Sequence, residues 1–322
     1  MNSRMTRAIT GVALATVLSA SSAYASPFSA MYVFGDSLSD TGNVFTFTGG
    51  GTPAPPYSNG RFSYGPVWID HLAGALGLPA GAVPALLGGN NYAAGGGKVI
   101  GAALNDLPSQ LALWSSTHPT ADPDALYIVA AGINDMRQAR ADFPTNSLAD
   151  VAGRQAAAAQ TAAALGNVVA GLATLGAKHV MIMNIPDLGK TPEAFALGLA
   201  DASSDAAARF NAFMPGLVAA GQAGGLDMRF LDIAGLMNAV IADALTNGGA
   251  TYGIVNVFTP CAPFQGNIGI SCNVSLFSDA LHPSAKAHQL LGQAALRAVP
   301  EPATLVLVTL GALGVARRRR AA

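Results

Sequence analysis

The chain has 322 residues, of which 51% are hydrophobic and only 11% charged, against roughly 25% charged in a typical globular protein. So much apolar content excludes disorder as the main state, and 37 glycines without a three-residue period exclude a collagen-like chain. Residues 26–299 carry eleven basic and seventeen acidic side chains, a net of −6, which excludes nucleic acid as a partner because that needs a basic footprint.

In chain order, residues 1–25 come first. They open with Arg4 and Arg7, run apolar from Ile9 to Leu18 and end on Ala23-Tyr24-Ala25. This layout predicts a secretory signal peptide cut after Ala25, the apolar run being too short to span a bilayer. Met31–Phe34 is a short apolar run ending at Gly35 and reads as a buried strand. Residues 47–60 are rich in Gly, Pro, Thr and Ser and predict a loop. Val67–Leu76 has helical spacing, Gly88–Gly97 must be irregular, and Leu107–Trp114 reads as helix. Ala125–Ala131 is a second strand that again ends at a glycine. Asn146–Leu175 is Ala-rich and predicts a long helix, with Ser147 to cap it and Gly176 to close it. Val180–Asn184 is a third strand, Ala194–Ala220 a long helix with a Gly break, and Met228–Asp232 a fourth strand followed by helix through Leu245. The stretch 247–278 is loop-rich, and residues 284–298 form a last helix.

Strands alternating with helices imply a parallel sheet covered on both faces. Reactive groups in such sheets sit just past the carboxyl ends of the strands. With export inferred, Cys261 and Cys272 read as a disulfide; a cysteine nucleophile has no special context here, and two cysteines alone make a poor zinc site.

Beyond Val299-Pro300-Glu301-Pro302, mostly apolar residues run from Ala303 to Ala316, and Arg317–Arg320 follow. Fourteen helical residues reach about 21 Å, short of the roughly 30 Å hydrocarbon core. The layout resembles the PEP-CTERM sorting signal of Gram-negative bacteria. That resemblance implies recognition by an exosortase; together with the leader, the boundaries are 1–25 signal peptide, 26–298 single domain and 299–322 sorting signal.

Four short segments carry chemistry. Gly35-Asp36-Ser37-Leu38 follows the first strand, where a serine hydroxyl can be presented at the sheet's edge; alone, it is also ordinary turn chemistry. Asn91-Tyr92-Ala93-Ala94-Gly95-Gly96-Gly97 bares backbone N–H groups. Lys98 is followed by Val99, so the phosphate-cradle pattern fails. Gly132-Ile133-Asn134-Asp135 follows the Tyr127 strand. Asp279 lies three residues before His282. A serine needs a base to take its proton, and a histidine base needs a carboxylate on its far nitrogen.

These four blocks, in this order and spacing, resemble the GDSL lipase/esterase family, the SGNH hydrolases, over about residues 30–298. Asn59-Gly60-Arg61-Phe62-Ser63 and Asn184-Ile185-Pro186-Asp187-Leu188-Gly189 match in style as well. The resemblance implies a flavodoxin-like three-layer α/β/α sandwich with a mainly parallel sheet. It implies Ser37 as nucleophile, His282 as general base and then acid, and Asp279 as the orienting carboxylate. It implies an oxyanion hole made by the Ser37 N–H, a glycine N–H and the Asn134 amide. Any of Gly95, Gly96 and Gly97 could supply the glycine donor; the register of the block selects Gly96. Asp36 and Asp40 are expected to cap turns. No metal and no cofactor are expected. The expected partners are an ester substrate (lipid, short acyl ester or acetylated glycan) and exosortase-type sorting machinery. The expected location is the periplasm, cell surface or exterior of a Gram-negative bacterium. Two other readings stand beside an exported ester hydrolase: an O-acetyl esterase acting on extracellular polysaccharide, and a non-catalytic surface or matrix protein that keeps the scaffold.

Overall fold

Met31–Gly35 forms the first strand, β1, and all five residues are buried. A strand this apolar on both faces belongs inside a parallel sheet, where helices cover each side. The computed structural model describes residues 26–299; the signal peptide expected at 1–25 and the sorting signal expected beyond Val299 lie outside them.

After β1 come a short helix α1 (Asn43–Phe47), then α2 (Trp68–Leu76) and α3 (Leu107–Thr117). Strand β2 (Leu126–Ala130) leads into α4 (Ile133–Asp142) and the long α5 (Leu148–Thr174). Strand β3 (His179–Met183) is followed by α6 (Pro192–Ala196), α7 (Ala200–Asn211) and α8 (Met214–Ala223). Strand β4 (Asp227–Leu231) feeds α9 (Ile233–Asn247). Strands β5 (Asn256–Pro260) and β6 (Ser275–Phe277) precede α10 (Ala285–Ala298).

The sheet runs β1-β2-β3-β4, all parallel, with Phe34 opposite Val129 and Ile128 opposite Met181. Alternate residues face opposite ways. On one face Tyr32 and Phe34 both meet Trp114 of α3, and Tyr32 stacks on Tyr127 with ring centroids 5.3 Å apart. On the other face Met31 packs against the Gly81 turn, beside α2 and its partner α10. The architecture is the expected α/β fold with a parallel sheet between helical layers.

Three local expectations differ from the structure and one holds. As expected, 88–97 is irregular: beside β1 it makes a single bridge, Val33 to Asn91, because its glycines and asparagines favour turns over extended pairing. The helix expected over 194–220 is three helices. Gly198, with φ +67°, follows α6, and Pro215 sits in the first turn of α8, where it cannot continue a helix from before. Gly132-Ile133-Asn134-Asp135, by itself an ordinary turn, opens the helix Ile133–Asp142. Within the loop-rich 247–278 stretch, β5 and β6 pair in parallel.

Gly35 ends β1 where space vanishes. A Cβ there would lie 2.3 Å from the Ala130 carbonyl oxygen. The Gln110 amide of α3 grips the same residue from both sides, accepting from its N–H at 2.9 Å and donating to its carbonyl at 2.7 Å. Gly35→Ala should therefore cost about 2 kcal/mol and lower the melting temperature by about 5 °C. Thermal unfolding measures this, and an unchanged midpoint would mean that the strand ends can separate freely.

Candidate active site

The chain leaves β1 through Asp36, whose Oδ1 accepts from the Leu38 N–H at 3.0 Å. The Ser39 and Asp40 N–H groups bond back to the Asp36 carbonyl at 3.0 Å. This tight turn sets Ser37 at the end of the strand. At the far end of the chain, β6 is followed by the turn from Ser278 to Pro283. The Asp279 Oδ1 accepts from the Leu281 and His282 N–H groups at 2.7 and 2.6 Å, closing that turn on itself.

The two turns meet. His282 Nε2 lies 2.9 Å from Ser37 Oγ, and His282 Nδ1 lies 2.6 Å from Asp279 Oδ2. The structure thus brings together the three residues that the sequence singled out, over a separation of 245 residues. The Tyr57 hydroxyl donates to the same Asp279 Oδ2. Burial works to raise the Asp279 pKa, but hydrogen bonds and charge from His282, helped by Tyr57, outweigh it and hold the carboxyl down at about 2. It is ionised at neutral pH and faces the imidazole as an acceptor.

The glycine loop is bound to the Ser37 turn by two side chains. Asp40 accepts from the Gly42 and Asn43 N–H groups at 2.7 Å with Oδ1, and from Gly95 N–H at 2.9 Å with Oδ2. Asn91 donates to the Ser39 carbonyl at 2.8 Å and to Thr41 Oγ1 at 3.0 Å. Asp40 thus caps the start of α1, as expected, and anchors the loop as well.

The loop's hydrogen bonds separate its three glycines. Gly95 N–H is used by Asp40, and Gly97 N–H donates to the Ala94 carbonyl at 3.0 Å. Gly96, exposed and with φ +77°, keeps its N–H without a partner among the described residues, as does Ser37. From the start of α4, Asp135 accepts from the Val99 and Ile100 N–H groups at 2.9 and 3.0 Å. Asn134 Nδ2 donates to the Gly97 carbonyl at 2.9 Å. One hydrogen on that nitrogen remains. Among the described residues, three N–H groups are thus uncommitted, on Ser37, Gly96 and Asn134, the first on the turn whose hydroxyl is bonded to an imidazole. Such a set can take up negative charge developing on an oxygen.

The disulfide between Cys261 and Cys272 is formed, with Cα atoms 4.9 Å apart. Cys261 N–H bonds the Phe277 and Ser278 carbonyls at 3.1 Å, so the bridge is tied to the segment leading into Asp279. Its loop also delivers Phe264 onto Tyr57, with ring centroids 4.8 Å apart, and Phe62 lies 5.3 Å from the His282 ring. Tyr57 was not legible in the sequence, because its loop has no period that would aim a side chain. Arg137, whose Nη1 donates to Asn134 Oδ1 at 3.2 Å, had a signal: three residues apart is one helical turn, once α4 is recognised as a helix.

Asp36 differs from the other carboxylates. It is fully buried, and its Oδ2 has no hydrogen-bond partner among the described residues. Burial outweighs the Leu38 N–H and the charge of His282, and raises its pKa to about 7. The turn-capping expectation holds for one oxygen only. His288 is likewise fully buried, where its Nδ1 accepts from Trp68 N–H at 3.3 Å; burial holds it neutral, with a pKa lowered to about 3.

This chain belongs to the family of GDSL-like lipases and acylhydrolases, whose model matches residues 31–295. The model of the PEP-CTERM protein-sorting motif matches residues 298–320, which indicates export and surface sorting of the Gram-negative kind. The chain is 30% identical over 195 residues to the phosphatidylcholine-sterol acyltransferase of Aeromonas hydrophila, covering 57% of this chain and 52% of that protein. It is 28% identical over 356 residues to the esterase EstA of Pseudomonas aeruginosa, covering 94% of this chain and 52% of that one. The chain therefore spans about half the length of these relatives. Among solved structures, an acetylxylan esterase from Geobacillus stearothermophilus aligns at 16% identity with a TM-score of 0.47, over 86% of this chain and 95% of that one.

Two outcomes follow from the site's electrostatics and its cross-link. Folded Asp36 keeps its proton up to about pH 7, whereas unfolded Asp36 loses it near 3.8. Its contribution to stability is full below about pH 4 and is lost as pH rises through about 7. Asp36→Asn should remove that component, so the variant gains on the parent between pH 5 and pH 8 in urea unfolding; parallel curves would place the ionisation elsewhere. Replacing both cysteines by serine should cost roughly 2–3 kcal/mol by the loop-closure argument. A melting temperature unchanged under oxidising conditions would contradict that.

Proposed function

We propose that this chain is an exported serine ester hydrolase that works through an acyl-serine intermediate. The observation that carries this reading is the continuous hydrogen-bonded path from Ser37 Oγ through both nitrogens of His282 to Asp279. His282 Nε2 takes the Ser37 proton as Oγ attacks the ester carbonyl carbon. The Oγ–C bond forms, and the former carbonyl oxygen takes the negative charge. The N–H groups of Ser37, Gly96 and Asn134 receive that charge, each fixed donor being worth roughly 3–4 kcal/mol. Collapse breaks the C–O bond to the alcohol, which leaves with the proton from His282. Water then attacks the acyl group with the same base, and the acid departs as Ser37 regains its proton. Asp279, ionised throughout, stabilises the imidazolium and holds its tautomer. With an alcohol in place of water, the same steps give acyl transfer.

One observation favours the second reading, an O-acetyl esterase on extracellular polysaccharide. The apolar cavity beside Ser37, walled by Ile133, Pro186, Leu188 and Met237, measures about 20 Å³. That is room for little more than one water and suits a small acyl group better than a long chain. A larger apolar groove of about 480 Å³ is lined by Phe47, Leu86, Leu104 and Leu113 together with Gly95. The sorting motif at 298–320 supports exosortase-type machinery as a partner and an extracytoplasmic site of action.

Assays of p-nitrophenyl esters from acetate to palmitate, beside Ser37→Ala, test the reading. The parent should hydrolyse the short esters best, and the variant should lose activity by roughly 10⁴-fold or more. A preference for long chains would favour a lipase. A folded parent inactive on every ester would favour the non-catalytic reading, and activity surviving in Ser37→Ala would remove Ser37 from its role.

A further inference from the structure

We propose that Arg137 and Glu193 form a positioning pair, which sets the polarity of the Asn134 amide and ties it to the turn bearing Asp279 and His282. This deepens, and rests on, the reading of the site as that of a serine ester hydrolase.

An asparagine amide has an accepting end and a donating end, and only the donating end can serve an oxyanion. Here Asn134 Oδ1 accepts from Arg137 Nη1 at 3.2 Å, while Nδ2 donates to the Gly97 carbonyl at 2.9 Å. A flipped amide would set N–H against the guanidinium and oxygen against the carbonyl, losing both bonds. With Arg137 in place, the group left over is an N–H.

Arg137 is itself held. Its Nε donates to Glu193 Oε2 at 3.0 Å and its Nη2 to Glu193 Oε1, the two-pronged geometry that a guanidinium fork makes with a carboxylate. Buried Arg140 donates to the same carboxylate and to Ser203 Oγ at 3.0 Å. Glu193 N–H, finally, donates to the Ala280 carbonyl at 2.8 Å. Ala280 lies inside the turn between Asp279 and His282. One path of hydrogen bonds therefore runs from Asn134 through Arg137 and Glu193 to Ala280, joining the oxyanion side of the site to the acid–base side. The Arg137 side chain is 31% exposed, but a two-pronged pair inside a charge network does contribute to stability, so activities are compared on folded protein. What its removal takes away is the orientation of the amide.

The test is a double-mutant cycle on p-nitrophenyl acetate, with Ser37→Ala as control. Arg137→Met should lower kcat about 10- to 50-fold, a part of what an oxyanion donor supplies, with KM changed less than about 2-fold. In an Asn134→Ala background the same substitution should cost less than about 2-fold, because there is no amide left to orient. Arg137→Lys, which keeps the charge without the fork, should recover only a small part of the loss. Should Arg137→Met fail to fold, Glu193→Gln is read in the same cycle with a smaller kcat effect and the same non-additivity. Equal losses in both backgrounds, or full recovery by lysine, would overturn the proposal while leaving a Ser37-dependent enzyme intact. A parent without ester hydrolysis, or one whose activity survives Ser37→Ala, would overturn the underlying reading and this inference with it.

Discussion

The contact between Ser37 Oγ and His282 Nε2, 2.9 Å long, joins groups 245 residues apart, and the surrounding structure is arranged to hold both ends of it. Sequence distance is not the obstacle, since each doubling of a closed loop costs only about 0.6 kcal/mol. Geometry is the obstacle, because a hydroxyl and an imidazole must meet within a few tenths of an ångström. On the Ser37 side, Gly35 is clamped between Ala130 and the Gln110 amide. On the His282 side, Asp279 closes its own turn, and Cys261 bonds the strand before it. Neither end is left to side-chain packing alone.

The carboxylates around this contact do different work because their surroundings differ. Asp279 is surrounded by donors and held at a pKa of about 2. Asp40 and Asp135 spend their oxygens on backbone N–H groups that tie the glycine loop down, although burial raises the pKa of both. Asp36, one residue from Ser37, has a bare buried oxygen and a pKa near 7. Residue type is the same in all four; hydrogen-bond supply and solvent access decide which keeps its charge.

Strands β1 to β3 were legible because an unbroken apolar run of four or five residues ending in a turn has few other uses. The long helix α5 was legible from its alanines and its Ser147 cap, which accepts from Asp150 N–H at 3.2 Å. The short parallel pair β5 and β6 was not, since a three-residue strand carries too little pattern to separate from a loop. Helix α4 was hidden because Gly132-Ile133-Asn134-Asp135 looks like a turn until Asp135 finds Val99 and Ile100, far off in the chain. Tyr57 and Glu193 escaped for the same reason: what each does is set by a partner on another segment.

By itself the sequence determined which chemistry the chain can carry. A serine after a buried strand, an aspartate three residues before a histidine, a glycine block and an asparagine block are local facts, written in residue types and short spacings. Tertiary structure alone decided which end of the Asn134 amide is left over and which aspartate holds a proton near neutrality. Those outcomes depend on hydrogen bonds and burial contributed by distant segments. Such contributions exist only once the sheet has brought its strand ends to one edge.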